Sequence, residues 1–218
     1  MANRFMLVTA PKLFQLAKDA YQRTKAAPSD REPKQWDALA AVLFSAAALE
    51  AFINEIESLA EPVEHFPSPP RTVTKFLEGA RKLHRTRGET EAKYLLAAQT
   101  LGRRPYDKGG RVYEDFKYLF DLRNEILHRR PQEEFGTTTP SQLSYGKAFE
   151  RLRSRNILAD HHSDKRLLDA LDIIATRAVA KWACETAVRM VEPILLVTTR
   201  KRHFRVHMRH YKEVFILE

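Results

Sequence analysis

The feature that most limits how this chain can fold is a run of twelve residues, 38–49, that carries one hydroxyl group and no charge. A helix over residues 33–59 would be apolar on almost every side, and such helices are enclosed by other parts of the protein. The run therefore predicts a central helix that other elements surround.

The rest of the chain also has helical periodicity. Apolar residues at three- and four-residue steps predict further helices over residues 11–25, 73–86, 89–101, 112–130, 147–155 and 165–197. Prolines and polar residues predict loop insertions near residues 60–72 and 131–165. The expected fold is a single all-α domain over residues 1–218, which is long enough to enclose one core.

The C-terminal segment, residues 199–218, has a different pattern. Apolar and basic residues alternate in it: Phe204, Arg205, Val206, His207, Met208 and Arg209. A period of two is typical of a strand. We therefore expect a short β-strand or an extended basic arm, which would pair with residues 5–8 or with a second subunit because a single strand is marginal alone.

The charge balance favours partners that carry phosphate. The chain has 37 Lys and Arg against 28 Asp and Glu, for a net charge of +9 and a pI near 9.7. Such an excess attracts nucleic acids over long range. The same charges could also do no more than solvate the helices, and composition alone leaves both readings open.

Cysteine usage and hydropathy indicate a compartment. Cys184 is the only cysteine, so no intrachain disulfide can form, and within its apolar helix it is expected to be a small buried hydrophobe. No stretch is expected to provide the roughly 18–20 apolar residues that span a bilayer, and no signal peptide is predicted. The expectation is a soluble cytoplasmic protein with no membrane partner.

Arg123 is the residue whose position most needs an explanation. It lies three or four residues from Leu119, Phe120, Ile126 and Leu127, so it shares their apolar stripe. A buried guanidinium costs several kcal/mol unless it is paired. Glu50, inside the apolar run of the central helix, is the expected partner, with Asn54 one turn later on the same face as a supporting residue.

Arg123 is followed by Asn124, three further residues and His128, and this order resembles the signature of the HEPN superfamily, in which an Arg, four to six residues and a His form a metal-independent ribonuclease site. The resemblance implies a HEPN-like helical bundle with Arg123 and His128 as the catalytic pair and Asn124 as the residue that orients them. It also implies a cleft at a two-fold dimer interface, which would bring together side chains that diverge by about 140° around one helix.

These residue types suit RNA cleavage. A histidine can exchange a proton near neutral pH, and an arginine can bind the oxygens of a phosphate as charge develops on them. Arg129 and Arg130 would extend the basic surface toward RNA, or would simply be helix C-terminal cations. His161 and His162 lack further ligands at metal-binding spacing, so neither a metal nor a cofactor is expected.

The leading hypothesis is thus a metal-independent endoribonuclease of toxin or antiviral defence type, acting on single-stranded RNA as a homodimer and controlled by an antitoxin protein. One alternative is a catalytically silent HEPN-like module that binds nucleotides or a protein partner. Another is a helical nucleic-acid-binding protein that uses only its basic surface. Glu50 and Arg123 could also be a buried ion pair that fixes helix register and catalyses nothing.

Overall fold

A computed structural model describes residues 8–30, 35–84, 86, 88–102, 105–128, 147–158, 170–198 and 204–217. Within these residues all regular secondary structure is α-helical, as predicted. The helices are α1 (Ala10–Thr24), α2 (Trp36–Glu64), α3 (Arg71–Leu83), α4 (Glu89–Thr100), α5 (Arg111–His128), α6 (Lys147–Ser154), α7 (Ala170–Ile174), α8 (Arg177–Thr198) and α9 (Arg205–Val214).

The central helix α2 is longer than its sequence predicts. It continues through Pro62 and ends at Glu64, so the prediction that this proline breaks the helix is wrong. Pro62 lies two residues before the helix end, and there its missing N–H removes a single hydrogen bond near a terminus. The connection to α3 is correspondingly shorter than the insertion expected over residues 60–72.

Helix α2 is the centre of the bundle. It contacts α1 and α8 most extensively and also packs on α3, α4 and α5, while α5 also packs on α8. The helices that were predicted near residues 33–59, 112–130 and 165–197 therefore pack together, and other elements surround the central one as predicted. Fully enclosed side chains on α2 include Val42, Leu49, Phe52, Ile53 and Ile56.

By length and composition alone, α2 could also cross a membrane. An 18-residue window within it has a mean hydropathy of 1.6, so the expectation that no stretch would reach this length was wrong. Half of that window is buried inside the protein. The core helix of a helical bundle passes the same test, and the contacts of α2 with its neighbours are those of such a helix.

The carboxylates of α2 tie other helices to it. Glu55 accepts hydrogen bonds from backbone N–H groups at the start of α1, including that of Ala10 at 3.0 Å, and another from the hydroxyl of Tyr211 in α9. Near the helix end, Glu64 accepts two hydrogen bonds from Arg81 of α3, at 2.9 and 2.5 Å. These contacts fix where α1, α3 and α9 lie along α2.

The predicted long helix near the C-terminus is divided into α7 and α8. Thr176 precedes α8, and its hydroxyl accepts a hydrogen bond from the N–H of Val179 at 3.3 Å, as an N-cap residue does. Just before it, the carbonyl of Ala175 accepts a hydrogen bond from the N–H of Gln35 at 2.7 Å. The chain therefore breaks its helix where it contacts the residue that precedes α2.

The prediction of a strand or extended arm at the C-terminus was wrong, because residues 205–214 form helix α9. Phe204, Met208, Tyr211 and Phe215 recur at steps of four, three and four residues, and all four are buried. This helical spacing spans the whole segment, whereas the two-residue alternation covers only its first part. Of the strand partner expected at residues 5–8, residues 5–7 lie outside the described part of the chain.

Alkaline pH should destabilise the fold through its tyrosines. Burial raises the pKa of Tyr94, Tyr106, Tyr113 and Tyr211. The neighbouring Glu91 raises the pKa of Tyr113 further, and Glu55 does the same for Tyr211. The folded protein therefore keeps protons that the unfolded chain loses above pH about 10, so the free energy of unfolding falls as pH rises past that value.

Ultraviolet absorbance of tyrosinate, followed together with circular dichroism, measures this effect. We expect these four of the seven tyrosines to ionise only as the helices unfold. Ionisation of all seven near pH 10 in a protein that keeps its helical signal would contradict the burial described here.

Candidate functional site

Helix α5 places the motif residues. Its core side is formed by Tyr113, Phe116, Leu119 and Leu122, all buried. Leu127, expected on the apolar stripe, is 57% exposed although it projects within about 20° of the buried Phe116, and it lies in the last turn of α5. The predicted stripe is therefore buried along most of α5 and becomes exposed toward its C-terminal turn, and Arg123 lies where this change begins.

Arg123 is held from three directions. Its Nη1 donates a hydrogen bond to Glu50 Oε2 at 2.9 Å. Its Nε and Nη2 both donate to Asn124 Oδ1, at 3.2 and 3.1 Å. The Phe120 ring lies beneath the guanidinium, with 5.1 Å between the ring centre and Cζ. The predicted pairing with Glu50 is present, and Asn124 contacts Arg123, one of the two residues that it was expected to orient.

The sequence predicts only that Phe120 belongs to the apolar stripe of α5. Its ring contacts that of Phe116 at 4.9 Å between centres, and Phe116 contacts Tyr94 at 5.1 Å. An aromatic row thus connects the core to the guanidinium of Arg123. The signal was available, since residues three apart on a helix are neighbours and a cation over a ring is favourable.

The pair is less enclosed than predicted. The side chain of Arg123 is 26% exposed, which confirms that it is mostly buried, but that of Glu50 is 45% exposed. A guanidinium has five N–H donors, and the contacts with Glu50 and Asn124 use three. The remaining two, one on each terminal nitrogen, give the group the capacity to bind an anion as well.

His128 is the last described residue of α5, and its side chain is exposed. It follows Arg123 by five residues, which separates the two side chains by about 140° around the helix axis. No contact joins them within the described residues. One copy of α5 thus presents both groups without bringing them together, and Arg129 and Arg130 lie outside the described part of the chain.

Asn54 has a different partner from the one expected. Its Oδ1 accepts a hydrogen bond from Lys93 Nζ of α4 at 3.0 Å. Lys93 is 2% exposed at its side chain and also contacts Glu57 at 2.8 Å and Glu89 at 2.6 Å. Burial alone would lower the pKa of Lys93, but the hydrogen bonds to both carboxylates raise it above its ordinary value. Asn54 thus belongs to the contact between α2 and α4.

A second set of polar contacts, not predicted from the sequence, attaches α6 to α5. Arg155 donates to Asp115 at 2.8 Å and to Glu114 at 2.6 Å, while Arg151 donates to Asp121 at 2.7 Å. Asp115 is nearly fully buried. The two arginines also lie over the ring of Tyr118, at 4.3 and 5.1 Å. These pairs depend on a tertiary contact, so spacing within either helix does not reveal them.

The other candidates from the sequence do not form a site among the described residues. Cys184 is buried, and this raises the pKa of its thiol to about 11, so it has little thiolate character at neutral pH. No group of three His, Cys, Asp or Glu side chains in the described ranges could hold a metal ion. His161 and His162 lie outside those ranges.

Comparisons with known proteins do not place the chain in a family. No protein-family model, no curated protein and no solved structure matches it. The assignment of the site therefore depends on its residues and their geometry.

The energy of the Glu50–Arg123 contact should be that of a partly exposed pair. In a double-mutant cycle with Glu50→Gln and Arg123→Gln, we expect a coupling of about 0.2–1 kcal/mol, because solvent screens both groups. The Arg23–Asp37 pair between α1 and α2, joined at 2.8 Å and 58% and 42% exposed, is a matched control. Chemical denaturation measures both. A coupling of about 3 kcal/mol or more would indicate the buried pair predicted from the sequence instead.

Proposed function

We propose that this protein is a metal-independent endoribonuclease that cleaves single-stranded RNA. The observation that supports this most is the guanidinium of Arg123, which Glu50, Asn124 and Phe120 hold while it stays partly exposed. A guanidinium that is held in place, with two N–H groups that no described residue uses, suits a phosphate-binding site.

The proposed reaction is an internal transfer. A base removes the proton of a ribose 2′-hydroxyl, the oxygen attacks the adjacent phosphorus, and an acid protonates the leaving 5′-oxygen, which leaves a 2′,3′-cyclic phosphate and a 5′-hydroxyl. Arg123 binds the non-bridging oxygens as their charge increases, and His128 transfers a proton. Asn124 and Glu50 act through Arg123 as positioning residues.

The separation of Arg123 from His128 on α5 suggests how the site would be completed. An isologous two-fold interface places the same surface of two copies against itself, so His128 of one copy can approach Arg123 of the other. The exposed side chains of Asn124, Leu127 and His128 at this end of α5 are compatible with such an interface. The proposal therefore includes a homodimer with one RNA-binding cleft. Toxin or defence activity in the cytoplasm, restrained by an antitoxin, would suit such an enzyme.

A second candidate is a silent module that binds a phosphate-bearing ligand through Arg123 without chemistry. The 140° divergence between Arg123 and His128 in one chain favours it. The two proposals differ in what His128 does: the enzyme needs this side chain for turnover, whereas the silent module needs only Arg123.

Purified protein should cut single-stranded RNA in the presence of EDTA and leave single-stranded DNA intact, because DNA lacks the 2′-hydroxyl. His128→Ala should slow cleavage roughly a hundred- to ten-thousand-fold, the usual contribution of one proton-transfer group. His65→Ala, which removes an exposed histidine after α2, is the matched control and should retain full activity. Gel analysis of cleavage and of the product ends measures both effects.

Cleavage that requires added magnesium, or that His128→Ala leaves undiminished, would overturn the ribonuclease proposal. RNA binding without cleavage in the wild-type protein would favour the silent module.

Arg123→Lys should also abolish most cleavage, since an ammonium cannot reproduce the paired donors of a guanidinium. Arg23→Lys replaces another arginine that pairs with a carboxylate, and it should leave the rate unchanged. Rates are compared at matched folded fractions, determined by thermal unfolding. Equal activity of the two variants would mean that Arg123 has only a structural role.

A further inference from the structure

The contacts of α6 determine its direction along α5. Arg151 pairs with Asp121, and Arg155, four residues later, pairs with Asp115 and Glu114, which lie earlier in α5. Both arginines also lie over Tyr118, between these acids. The two helices are therefore antiparallel, and the start of α6 lies toward the end of α5 that carries His128.

The same register places Lys147 near that end. Lys147 begins α6, four residues before Arg151, which is about 6 Å along the helix. A point the same distance from Asp121 toward the C-terminus of α5 is at the level of residue 125, about one turn before His128. His128 follows Asp121 by seven residues, so it lies within about 20° of the α5 face on which α6 packs.

The charge of Lys147 is not paired with an acid among the described residues. Its side chain is exposed, and it makes no ion pair with any residue in the described part of the chain. Arg151 in α6 and Arg155 just after it are different, since their charges are already matched by three acids of α5. Among the described residues, Lys147 is therefore a cation of α6 without a charged partner, on the side of α5 that carries His128.

We propose that Lys147 is an RNA-binding residue of the candidate site, and that across the proposed dimer interface it contacts a backbone phosphate next to the one that Arg123 of the other copy holds. The substrate would then be a strand of at least two phosphates, with α6 forming one wall of the cleft. This inference depends on the proposed function for the identity of the site, but Lys147 takes part in binding and not in proton transfer.

The experiment measures binding of a single-stranded RNA oligonucleotide to the His128→Ala protein over a series of salt concentrations. Adding Lys147→Ala should weaken binding by roughly three- to tenfold and reduce the slope of log K against log salt by about 0.7, the value for one phosphate contact on a single strand. Lys12→Ala removes an exposed lysine of α1 and is the matched control, expected to change neither quantity. Lys147→Arg should restore both, which a disturbed fold would not allow.

Cleavage by otherwise wild-type protein gives a second measurement. Lys147→Ala should raise KM and leave kcat close to that of the parent. Equal effects of Lys147→Ala and Lys12→Ala on the salt slope would overturn the inference, whether or not the protein cleaves RNA. If the wild-type protein binds RNA without cleaving it and Lys147→Ala still reduces the slope, the ribonuclease proposal fails and the Lys147 contact stands.

Discussion

The arrangement of the bundle depends on carboxylates placed along one apolar helix. α2 is enclosed by its neighbours, yet Glu50, Glu55, Glu57 and Glu64 each meet a donor from a different part of the chain. Hydrophobic burial brings the helices together, and close side-chain packing and polar pairs then determine how far one helix slides along another. Each pair has short contacts in the observed register, so the acids of α2 favour this packing among those that the apolar surface permits.

The Glu50–Arg123 contact, which forms the candidate site, differs from the Glu57–Lys93 contact because it stays partly exposed. Glu57 and Lys93 are almost fully enclosed, as expected for a pair that only joins helices. Glu50 and Arg123 retain 45% and 26% exposure, and Phe120 fixes the guanidinium from below. The contact therefore joins α2 to α5 and leaves a cation accessible at the surface. Holding Arg123 in place reduces the entropy lost when it binds a phosphate.

The sequence predicted the Glu50–Arg123 contact for a physical reason. A charge within an apolar stripe must be paired, and few opposite charges lie in comparable surroundings on another helix. Asn54 was assigned to the same site because it shares a helix face with Glu50. Its partner is Lys93 instead, and only the packing of α4 on α2 reveals this.

The C-terminal segment was mispredicted because two periodicities overlap there. Phe204 and Met208 fit both a two-residue and a four-residue spacing, and Tyr211 and Phe215 favour the helix. The attachment of α6 to α5 could not be predicted either, because the pairs of Arg151 and Arg155 span about 30 to 40 residues of sequence. Local patterns thus predict helices and unmatched charges, whereas the choice of partners is a property of the folded chain.

The central claim is that Arg123 is held in position and still available to bind phosphate. This claim is tested most directly by nuclear magnetic resonance of the arginine side-chain Nε–H groups in protein labelled with nitrogen-15. The Arg123 resonance is assigned by its loss in Arg123→Lys. The protein is titrated with a single-stranded oligonucleotide that lacks 2′-hydroxyls and so cannot be cleaved. This titration should shift the Arg123 resonance and leave that of Arg23 in place. If the oligonucleotide binds and the Arg123 resonance does not move, Arg123 is a structural residue and the account of the site is wrong.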